Sequence, residues 1–514
     1  MPPHSLEAAS EGSTRKPCAE DGSMIGTRKR FTRSRALLLA LGVFAAAAAR
    51  AADEPDEADR FDPKRTPAAE LQTSVPDGFT LAAVGDCIIS RPLSQKRASD
   101  AAFEAAVKIL RGADATFGNL ETAILDVRSF AGHPNSGADD WGLTALPVVA
   151  EDLAELGFDL LSRANNHALD WGVEGMRETG HRLDEAGLVH AGVGENRGLA
   201  RAPQYYESEK GRIALVSLTS TYAPSSAASP ARGSTSGRPG VNALRVQRFT
   251  LVPPDSMRAL AGIEVAMSAA RGKTVEGAGG PPAELSLFEK EFRLGEDFAY
   301  RYEMNPLDLA EILQTIRLGK QHSDFLVVSL HAHQTAFDQE SPGDFLRELA
   351  RLAIDVGADA FVTHGIHHLG PIEVYAGKPV FYGLANFFWS DIQEPLDPVL
   401  HEEHADRVAR ALPDAAAVTD ADLTALLNAD GFDNERTFHT VIAVSRFEAG
   451  RVAEIRLHPV DLGYGRRLPD SGVPRLASPA QGRSILERLR EISAPYGTRI
   501  SLEKNVGVIR PGSP

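Results

Sequence analysis

The stretch LLSRANNHALDWG, Leu160–Gly172, decides the fold class, because a short apolar strand passes within it directly into a helix. Leu160 and Leu161, with Phe158 just before them, form a predicted short buried strand, and Asp170 is the predicted N-cap of a helix over Val173–Ala186. The Asn-Asn-His sequence at 165–167 therefore follows the carboxyl end of a strand. That end is the edge at which open α/β sheets bind their ligands.

On both sides of this stretch, predicted strands alternate with predicted helices, which is typical of βαβ units and an α/β fold. The predicted strands and hairpins cover 79–86, 113–121, 158–167, 188–194, 204–218, 324–333, 358–368, 372–386 and 439–460. The predicted helices cover 101–110, 148–156, 173–186, 342–356 and 481–493. Two segments interrupt the alternation, a Ser-, Gly- and Pro-rich one at about 222–296 and an acidic, Ala-rich one at about 394–434.

The amino-terminal residues predict export. Basic residues at 28–35 precede an uncharged run at 36–49 and a small-residue site at 49–51, which is the pattern of a secretory signal. We therefore predict a signal peptide and leader at 1–51, a linker at 52–77, a main domain at 78–465 and a carboxyl-terminal extension at 466–514. The predicted location is periplasmic or extracellular, with retention by an uncleaved signal anchor as the alternative.

Charge and cysteine content limit the partners. The formal net charge of −16 argues against a nucleic-acid partner, because phosphate binding needs clustered Lys and Arg. Of the two cysteines, Cys18 lies in the predicted leader, which leaves Cys87. No internal disulfide and no disulfide-linked partner is expected.

Polar clusters follow five predicted strands. They are Gly85-Asp86, Gly118-Asn119-Leu120-Glu121, Asn165-Asn166-His167, His331-Ala332-His333 and His364-Gly365-Ile366-His367-His368. Taken singly, each has an ordinary structural explanation as a turn residue, a loop hydrogen bond or a buried histidine. Together at one sheet edge, they predict a site for one or two divalent cations, with Mn, Fe, Zn or Mg as candidates because the donors are imidazole and oxygen.

Longer motifs accompany these clusters, namely VGDCIISR, FGNLETAI, ANNHALDWGVEGMRETGHRLDEAGL, GRPGVNALR, VVSLHAH, THGIHHLGPIEVYAGKPVFYGLANF and the hairpin after Phe438. In these motifs the chain resembles the CapA family of capsule and poly-γ-glutamate biosynthesis proteins, which is similar to the calcineurin-like phosphoesterases. This resemblance implies a metallophosphoesterase-like layered α/β/β/α sandwich with the two inserted segments, a carboxyl-terminal β-hairpin and a helix.

The resemblance also implies roles for single residues. Asp86, Asn166, His364 and His367 match metal ligands, and so does His331, with His333 as the alternative. His167 matches a general acid near the leaving group. Arg238, Asn242 and Arg245 in GRPGVNALR match contacts to an anionic substrate, with a loop tethered by arginines as the alternative.

The chain also departs from the phosphoesterase pattern. Asn119 stands where those enzymes have a bridging Asp, so we group Asn119 with the substrate contacts and expect Glu121 to supply the missing carboxylate. The closing histidines are spaced His-x-x-His rather than His-x-His. A mononuclear site, or one without hydrolytic activity, is therefore an open alternative.

Three functions are compatible with these residues. The first, which the resemblance implies, is an exported protein acting in the synthesis, export or anchoring of an anionic capsule polymer such as poly-γ-glutamate, with a membrane-bound polymer synthase complex as its partner. The second is a metal-dependent hydrolase of phosphoesters or amides. The third is a non-catalytic, polymer-binding assembly subunit.

Overall fold

The computed structural model describes residues 73–135, 142–273, 280–389, 398–412, 417–428 and 434–512. The predicted signal segment and the linker up to residue 72 lie outside these ranges. Within the described ranges, no helix combines the length and the apolar character needed to cross a bilayer. Export and location therefore stay predictions.

The strands and helices follow the predicted alternation closely. The strands are β1 Phe79–Ile88, β2 Ala115–Leu120, β3 Ala123–Ile124, β4 Thr144–Ala145, β5 Leu160–Ser162, β6 Val189–Ala191, β7 Val193–Gly194, β8 Gln204–Ser208, β9 Gly211–Thr219, β10 Gly240–Val241, β11 Val246–Val252, β12 Glu284–Leu287, β13 Lys290–Leu294, β14 Ala299–Met304, β15 Phe325–His331, β16 Ala360–His364, β17 Ile372–Tyr375, β18 Lys378–Phe381, β19 Asn386–Trp389, β20 His439–Glu448, β21 Arg451–Asp461, β22 Arg475–Leu476, β23 Ser501–Glu503 and β24 Val506–Ile509. The helices are α1 Ala101–Arg111, α2 Val149–Leu156, α3 Gly172–Glu185, α4 Arg197–Arg201, α5 Pro254–Ala270, α6 Pro306–Gln321, α7 Asp344–Asp355, α8 Pro398–Glu403, α9 Ala405–Ala411, α10 Asp420–Asn428 and α11 Pro479–Ser493.

Two mixed sheets carry the main domain. The first has the order β23-β24-β21-β20-β1-β2-β5-β6, with β19 beside β1 and β22 beside β21. The second has the order β17-β18-β16-β15-β9-β8. In both sheets the central neighbours, β1-β2-β5 and β16-β15-β9, pair in parallel, so the carboxyl ends of these strands meet at one edge of each sheet.

The two sheets pack face to face, and the alternation of side chains along each strand shows it. Leu81 and Ala83 of β1 share one buried cluster with Val327 of β15 and Val362 of β16. The residues between them on β1 face the other way, as expected from the period of two in a strand. Strands buried on both faces are why the sequence reads as continuous apolar runs such as FLVVSL.

Helices cover the outer face of each sheet. Helices α1, α2 and α3 pack on the first sheet through residues that include Phe103, Leu153 and Leu183. Helices α6 and α7 pack on the second through Ile312 and Leu349. This order of layers, helix–sheet–sheet–helix, confirms the predicted α/β/β/α sandwich.

The predicted insertions have structure of their own. The segment at 222–296 contains β10, β11, α5, β12 and β13, and a small sheet with the order β12-β13-β11-β14. The segment at 394–434 contains α8, α9 and α10 within its described part. The boundaries chosen for the insertions and domains stay predictions.

The amino-terminal ends of two helices, α3 and α6, differ from the predictions. The prediction that Asp170 caps α3 was wrong, since the N-cap is Trp171 and no side chain caps the helix. Helix α6 was not predicted, although Asn305 caps it by accepting from the backbone N–H groups of Leu307 and Asp308, with a proline at its first position. That Asn-Pro pair is a recognised helix start.

Candidate metal centre

The five predicted polar clusters meet between the two sheets. Strand β15 is an example, because Val327, Ser329 and His331 all point toward the space between the sheets. Along this face the side chains change from apolar to polar toward the carboxyl end of the strand. β2 carries Asn119 and β16 carries His364 in the same way, on the face of their neighbours Phe117 and Val362. All three polar residues are at most 1% exposed.

Asp86 reaches this face because β1 is irregular. Strict alternation would point Asp86 with Ala82 and Val84 toward the helices, but the register with β2 shifts between Ala83 and Asp86. Cys87 then takes the helix-facing position and Asp86 turns into the site. Bulges of this kind re-aim side chains next to functional sites.

The first cluster of candidate ligands, here called the inner triad, consists of Asp86, His331 and His364. The Nδ1 atoms of the two imidazoles are 3.1 Å apart, and Asp86 Oδ1 is 3.5 Å from His364 Nδ1. All three side chains are buried.

The second cluster, here called the outer triad, consists of Glu121, His333 and His367. Glu121 is buried, His367 is partly exposed and His333 is exposed. The triads adjoin: His331 Nε2 is 2.9 Å from His333 Nε2 and 3.5 Å from Glu121 Oε1. His367 Nδ1 is 3.5 Å from Asp86 Oδ2.

The donor sets fit divalent metals. Each triad offers one carboxylate and two imidazoles with all ligand atoms within 4.8 Å of one another, and ligands of one cation at about 2.0–2.1 Å also lie roughly 3 Å apart. Nitrogen and oxygen donors suit Zn, Fe or Mn. The thiol of Cys87 takes no part, since it is buried on the helix side with Sγ 3.8 Å from the carbonyl of Gly85.

Neighbouring groups fix the orientation of these ligands. Ser329 Oγ is 2.7 Å from His364 Nε2, and His367 Nδ1 donates to Asn386 Oδ1 at 2.8 Å. The backbone N–H of Gly365 donates to Asp86 Oδ2 at 3.0 Å. Such second contacts hold a metal ligand in one rotamer and one tautomer.

Asn119 lies at the centre of the site. Its Nδ2 donates to Asp86 Oδ1 at 2.9 Å, and its Oδ1 accepts from Asn165 at 3.2 Å. Asn119 therefore links a ligand of the inner triad to the loop after β5. Asn166, the predicted carboxamide ligand, follows in that loop and is 9% exposed.

His167, the predicted general acid, is paired with Asp170. Its Nδ1 is 2.8 Å from Asp170 Oδ2, and the same oxygen accepts from the backbone N–H of Leu143. Since the carboxylate can only accept here, Nδ1 carries a hydrogen and Nε2 is the atom left for other chemistry. Asp170, which was predicted to cap α3, instead pairs with His167.

The electrostatics of the inner triad favour neutral imidazoles beside a charged carboxylate. Burial lowers the pKa of His331 well below its usual value, and the charges of nearby histidines lower it further. These histidines are His333, His364, His367 and His167. Burial lowers the pKa of His364 to about 4, against the opposing effect of Asp86. Burial alone would raise the pKa of Asp86, but His367, His364 and Asn119 bring it down to about 2. Neutral imidazole and ionised carboxylate are the forms that bind metal.

The predicted substrate contacts in GRPGVNALR lie among other partners. Arg238 is exposed and donates to the backbone carbonyls of Ala227 and Pro224. Asn242 is buried, donates to Ser217 and accepts from Arg201. Arg245 pairs with Asp308 at 2.7 Å. Their role in binding a substrate stays a prediction.

Sequence reasoning gave His333 only second place after His331, yet the structure brings both into the triads. Their spacing in His-Ala-His is the signal: alternation would send both to one face, and β15 ends at His331 with His333 just beyond it. Asn386, the last residue of the predicted hairpin at 372–386, contacts His367 because β19 pairs with β1 in register Asp86↔Asn386.

Comparison with known protein families shows to which family this chain belongs. A sequence model of the family described as "Bacterial capsule synthesis protein PGA_cap" matches residues 80–390. The chain belongs to this family. The PGA_cap match contains every residue of both triads, and the resemblance to CapA proteins seen in the sequence is confirmed.

PGA_cap relatives differ widely in how much they share with this chain. The uncharacterized protein y4sH of Sinorhizobium fredii is 44% identical over 85% of this chain and 94% of its own length. The PGA biosynthesis protein CapA of Bacillus subtilis is 25% identical over 62% of this chain and 65% of its own length. Among solved structures, a phosphatase from Mycoplasma pneumoniae aligns with 11% identity over 75% of this chain and 94% of its own, at a TM-score of 0.33, which is too low to support an argument.

Proposed function

We propose that this chain is an exported protein that acts in the synthesis, export or anchoring of an anionic capsule polymer such as poly-γ-glutamate. We also propose that its two triads hold one or two divalent cations. The observation that carries the proposal is the meeting of six candidate ligands at one joint sheet edge, within a chain of the PGA_cap family. A membrane-bound polymer synthase complex is the proposed partner.

The triads and the His167–Asp170 pair suit chemistry on an acidic chain. When bound, a divalent cation lowers the pKa of its water toward about 7 and stabilises negative charge on oxygen. Asp170 orients His167, which in its protonated form holds a proton on Nε2 for a leaving group. The outer triad, with its exposed His333, is the side at which a ligand meets the cluster.

This proposal is tested first by metal content. We expect the purified, metal-replete chain to carry one or two equivalents of a divalent metal by elemental analysis. His364→Ala should lower that number, because it removes an inner ligand that is 1% exposed. His181→Ala is the matched control, since His181 lies on the surface of α3 and pairs with Glu185. No bound metal in the wild-type chain would contradict the proposal.

The second step is polymer binding by isothermal titration calorimetry. Poly-γ-glutamate should bind the wild-type chain, and uncharged dextran should not. Because the chain carries a net charge of −16, binding of a polyanion must come from the metal and from local basic groups. Equal binding of both polymers, or of neither, would contradict a specific polymer role.

A second candidate function is hydrolysis of a phosphoester or amide. The observation in its favour is the orientation of His167 by Asp170 beside two adjoining triads. Hydrolysis of a generic phosphodiester by the metal-loaded wild type, lost in both His364→Ala and His167→Ala, would favour the hydrolase. Retained metal and polymer binding without any turnover would favour an assembly role.

A further inference from the structure

A cleft of about 690 Å³ opens beside the outer triad. His333 and His367 line one part of it, and two arginines, Arg436 and Arg488, line another. The arginines come from segments outside the strand ends: Arg436 follows the second predicted insertion, and Arg488 lies on α11 in the predicted extension. Both are beyond residue 390, where the family match ends.

Both arginines are directed at one carboxylate. Glu340 Oε1 is 2.9 Å from Arg436 Nη1, and Glu340 Oε2 is 3.6 Å from Arg488 Nη2. Each carboxylate oxygen thus faces its own guanidinium, and charge-assisted contacts between arginine and a carboxylate are stronger than contacts between neutral groups.

Glu340 reaches the arginines from the loop between β15 and α7. The tip of this loop is held by its own bonds, because Asp338 Oδ1 accepts from the backbone N–H groups of Glu340 and Ser341. The loop therefore does not need the side chain of Glu340 for its shape. The contact between Glu340 and the arginines is a separate feature.

We propose that Arg436 and Arg488 form a carboxylate-binding subsite next to the outer triad, occupied here by Glu340 and taken by a carboxylate of an acidic polymer when it binds. The acidic polymer in this statement rests on the proposed function. The subsite itself rests on the two guanidinium groups and the carboxylate between them.

The occupant is easily displaced. The side chains of Arg436 and Glu340 are 60% and 58% exposed, and exposed ion pairs contribute little to stability because water and salt screen them. An incoming carboxylate exchanges one such pair for another, so little is lost when Glu340 leaves. The same cleft then joins the subsite to His333 and His367, so that a chain with regularly spaced carboxylates reaches both.

The surroundings limit the ligand to a modest charge density. A neighbouring cleft on the other side of the arginines is lined by Arg483, but also by Glu435, Glu487 and Glu491. A polyphosphate would meet these three acids at high charge density. A carboxylate polymer, with one charge on each unit, suits the mixed surface better.

The test measures binding of fluorescently labelled γ-linked hexaglutamate to the full, metal-loaded chain by anisotropy. We expect Glu340→Gln to tighten binding about two- to fivefold, since it removes a weakly held internal competitor while keeping the shape of the side chain. The double variant Arg436→Ala/Arg488→Ala should weaken binding about tenfold or more. Arg490→Ala is the matched control, because Arg490 is an exposed arginine on the same helix and lines neither of these clefts.

A second probe separates this proposal from the proposed function. Glutarate carries two carboxylates but is no polymer, and its binding is measured by calorimetry in the same variants. Hexaglutamate binding that is equal in all variants would overturn the subsite and leave the polymer role standing. Glutarate binding that is strengthened by Glu340→Gln, with no hexaglutamate binding at all, would keep the subsite and overturn the polymer role. Loss of both would overturn both, and tighter binding of inorganic phosphate than of glutarate would overturn the choice of a carboxylate.

Discussion

The inner and outer triads have the same donors but differ in the exposure of their histidines. Each combines one carboxylate with two imidazoles. In the inner triad all three side chains are at most 1% exposed, whereas the outer triad places His333 at the surface and His367 partly so. The difference teaches that the same donor set can be placed in two environments: under the proposed function the inner triad would hold a cation away from ligands, and the outer triad would present one to them.

The groups that hydrogen-bond to Asp86 and His364 in the inner triad are buried, whereas the one at His333 in the outer triad is more exposed. Asp86 and His364 are fixed by Asn119, Ser329 and the backbone of Gly365, all within the core. The exposed His333 has its backbone N–H bound by Thr221, and its imidazole faces a cleft. Substitutions in the inner triad should therefore affect metal binding and stability together, and those in the outer triad mainly ligand binding.

The largest effect is expected for Asp86→Asn. It removes the only carboxylate of the inner triad, next to two histidines and the N–H of Gly365, so metal affinity there should fall about a hundredfold or more. Metal titration of chelator-treated protein by calorimetry measures this, with Asp355→Asn on α7 as the control. If the triads are separate sites, Glu121→Gln should remove a different equivalent than Asp86→Asn. Full loss in either variant would show instead that they form one site.

Gly365→Ala should disturb both triads at once. Gly365 has φ +106°, and a Cβ there would lie 2.8 Å from His333 Cδ2 and 2.9 Å from His331 Cε1. We expect a loss of about 3 kcal/mol in the free energy of unfolding, from strain and overpacking together, and weaker metal binding.

Gly187→Ala is the matched control for this substitution. Gly187 also has positive φ, +75°, but a Cβ there would meet nothing within 4 Å. This variant should lose about 1 kcal/mol from strain alone and keep its metal. Chemical denaturation and elemental analysis measure both quantities, and equal metal loss in the two variants would contradict the placement of Gly365 against the imidazoles.

The pH dependence of the metal-free protein should report on the inner triad. The pKa of His364 is lowered to about 4, so between about pH 6.5 and 4 the unfolded state binds the extra proton and stability falls as the pH falls. The pKa of Asp86 is lowered to about 2, so its contribution is lost between about pH 4 and 2.

Urea denaturation of chelator-treated protein across this range measures the slope. Each such proton contributes about 1.4 kcal/mol per pH unit, and His364→Gln should reduce the slope between pH 6.5 and 4. An unchanged slope in this variant would mean that His364 is not buried in its neutral form.

The sequence predicts the layers and the strand ends better than it predicts the face toward which a given side chain points. Apolar runs and helix signals predict the order of most strands and helices outside the insertions, though not α6, and parallel strands bring Asp86, Asn119, His331 and His364 to one edge. The face on which Asp86 points depends on a register shift in β1, and alternation alone gives the wrong side. Gly85 is part of that irregularity, since a Cβ there would collide with the carbonyl of Ala385, but a Gly-Asp pair by itself does not reveal it.

Contacts between distant segments were beyond sequence reasoning. Arg436, Arg488 and Glu340 come from three separate parts of the chain, and neither periodicity nor motif spacing relates them. The partner of Asp170 was missed for a similar reason, since a helix cap and a histidine partner are equally compatible with the spacing in NNHALD. Helix-capping preferences predicted that Asp170 caps α3, whereas in the folded chain Asp170 contacts His167.

The smallest effects are expected for the arginines of GRPGVNALR, and they test whether ligand binding extends beyond the outer triad. Arg238→Ala removes exposed contacts to backbone carbonyls and should change stability by less than about 0.5 kcal/mol. Arg245→Ala leaves Asp308 with Arg201 as a remaining partner, so its cost should be about 1 kcal/mol. Neither should alter metal content. If both variants bind hexaglutamate as the wild type does, the two arginines tether their loop, and the outer triad with its adjoining cleft is the surface that meets the ligand. Weaker binding in either variant would instead support the predicted substrate contact and extend the binding surface toward β10.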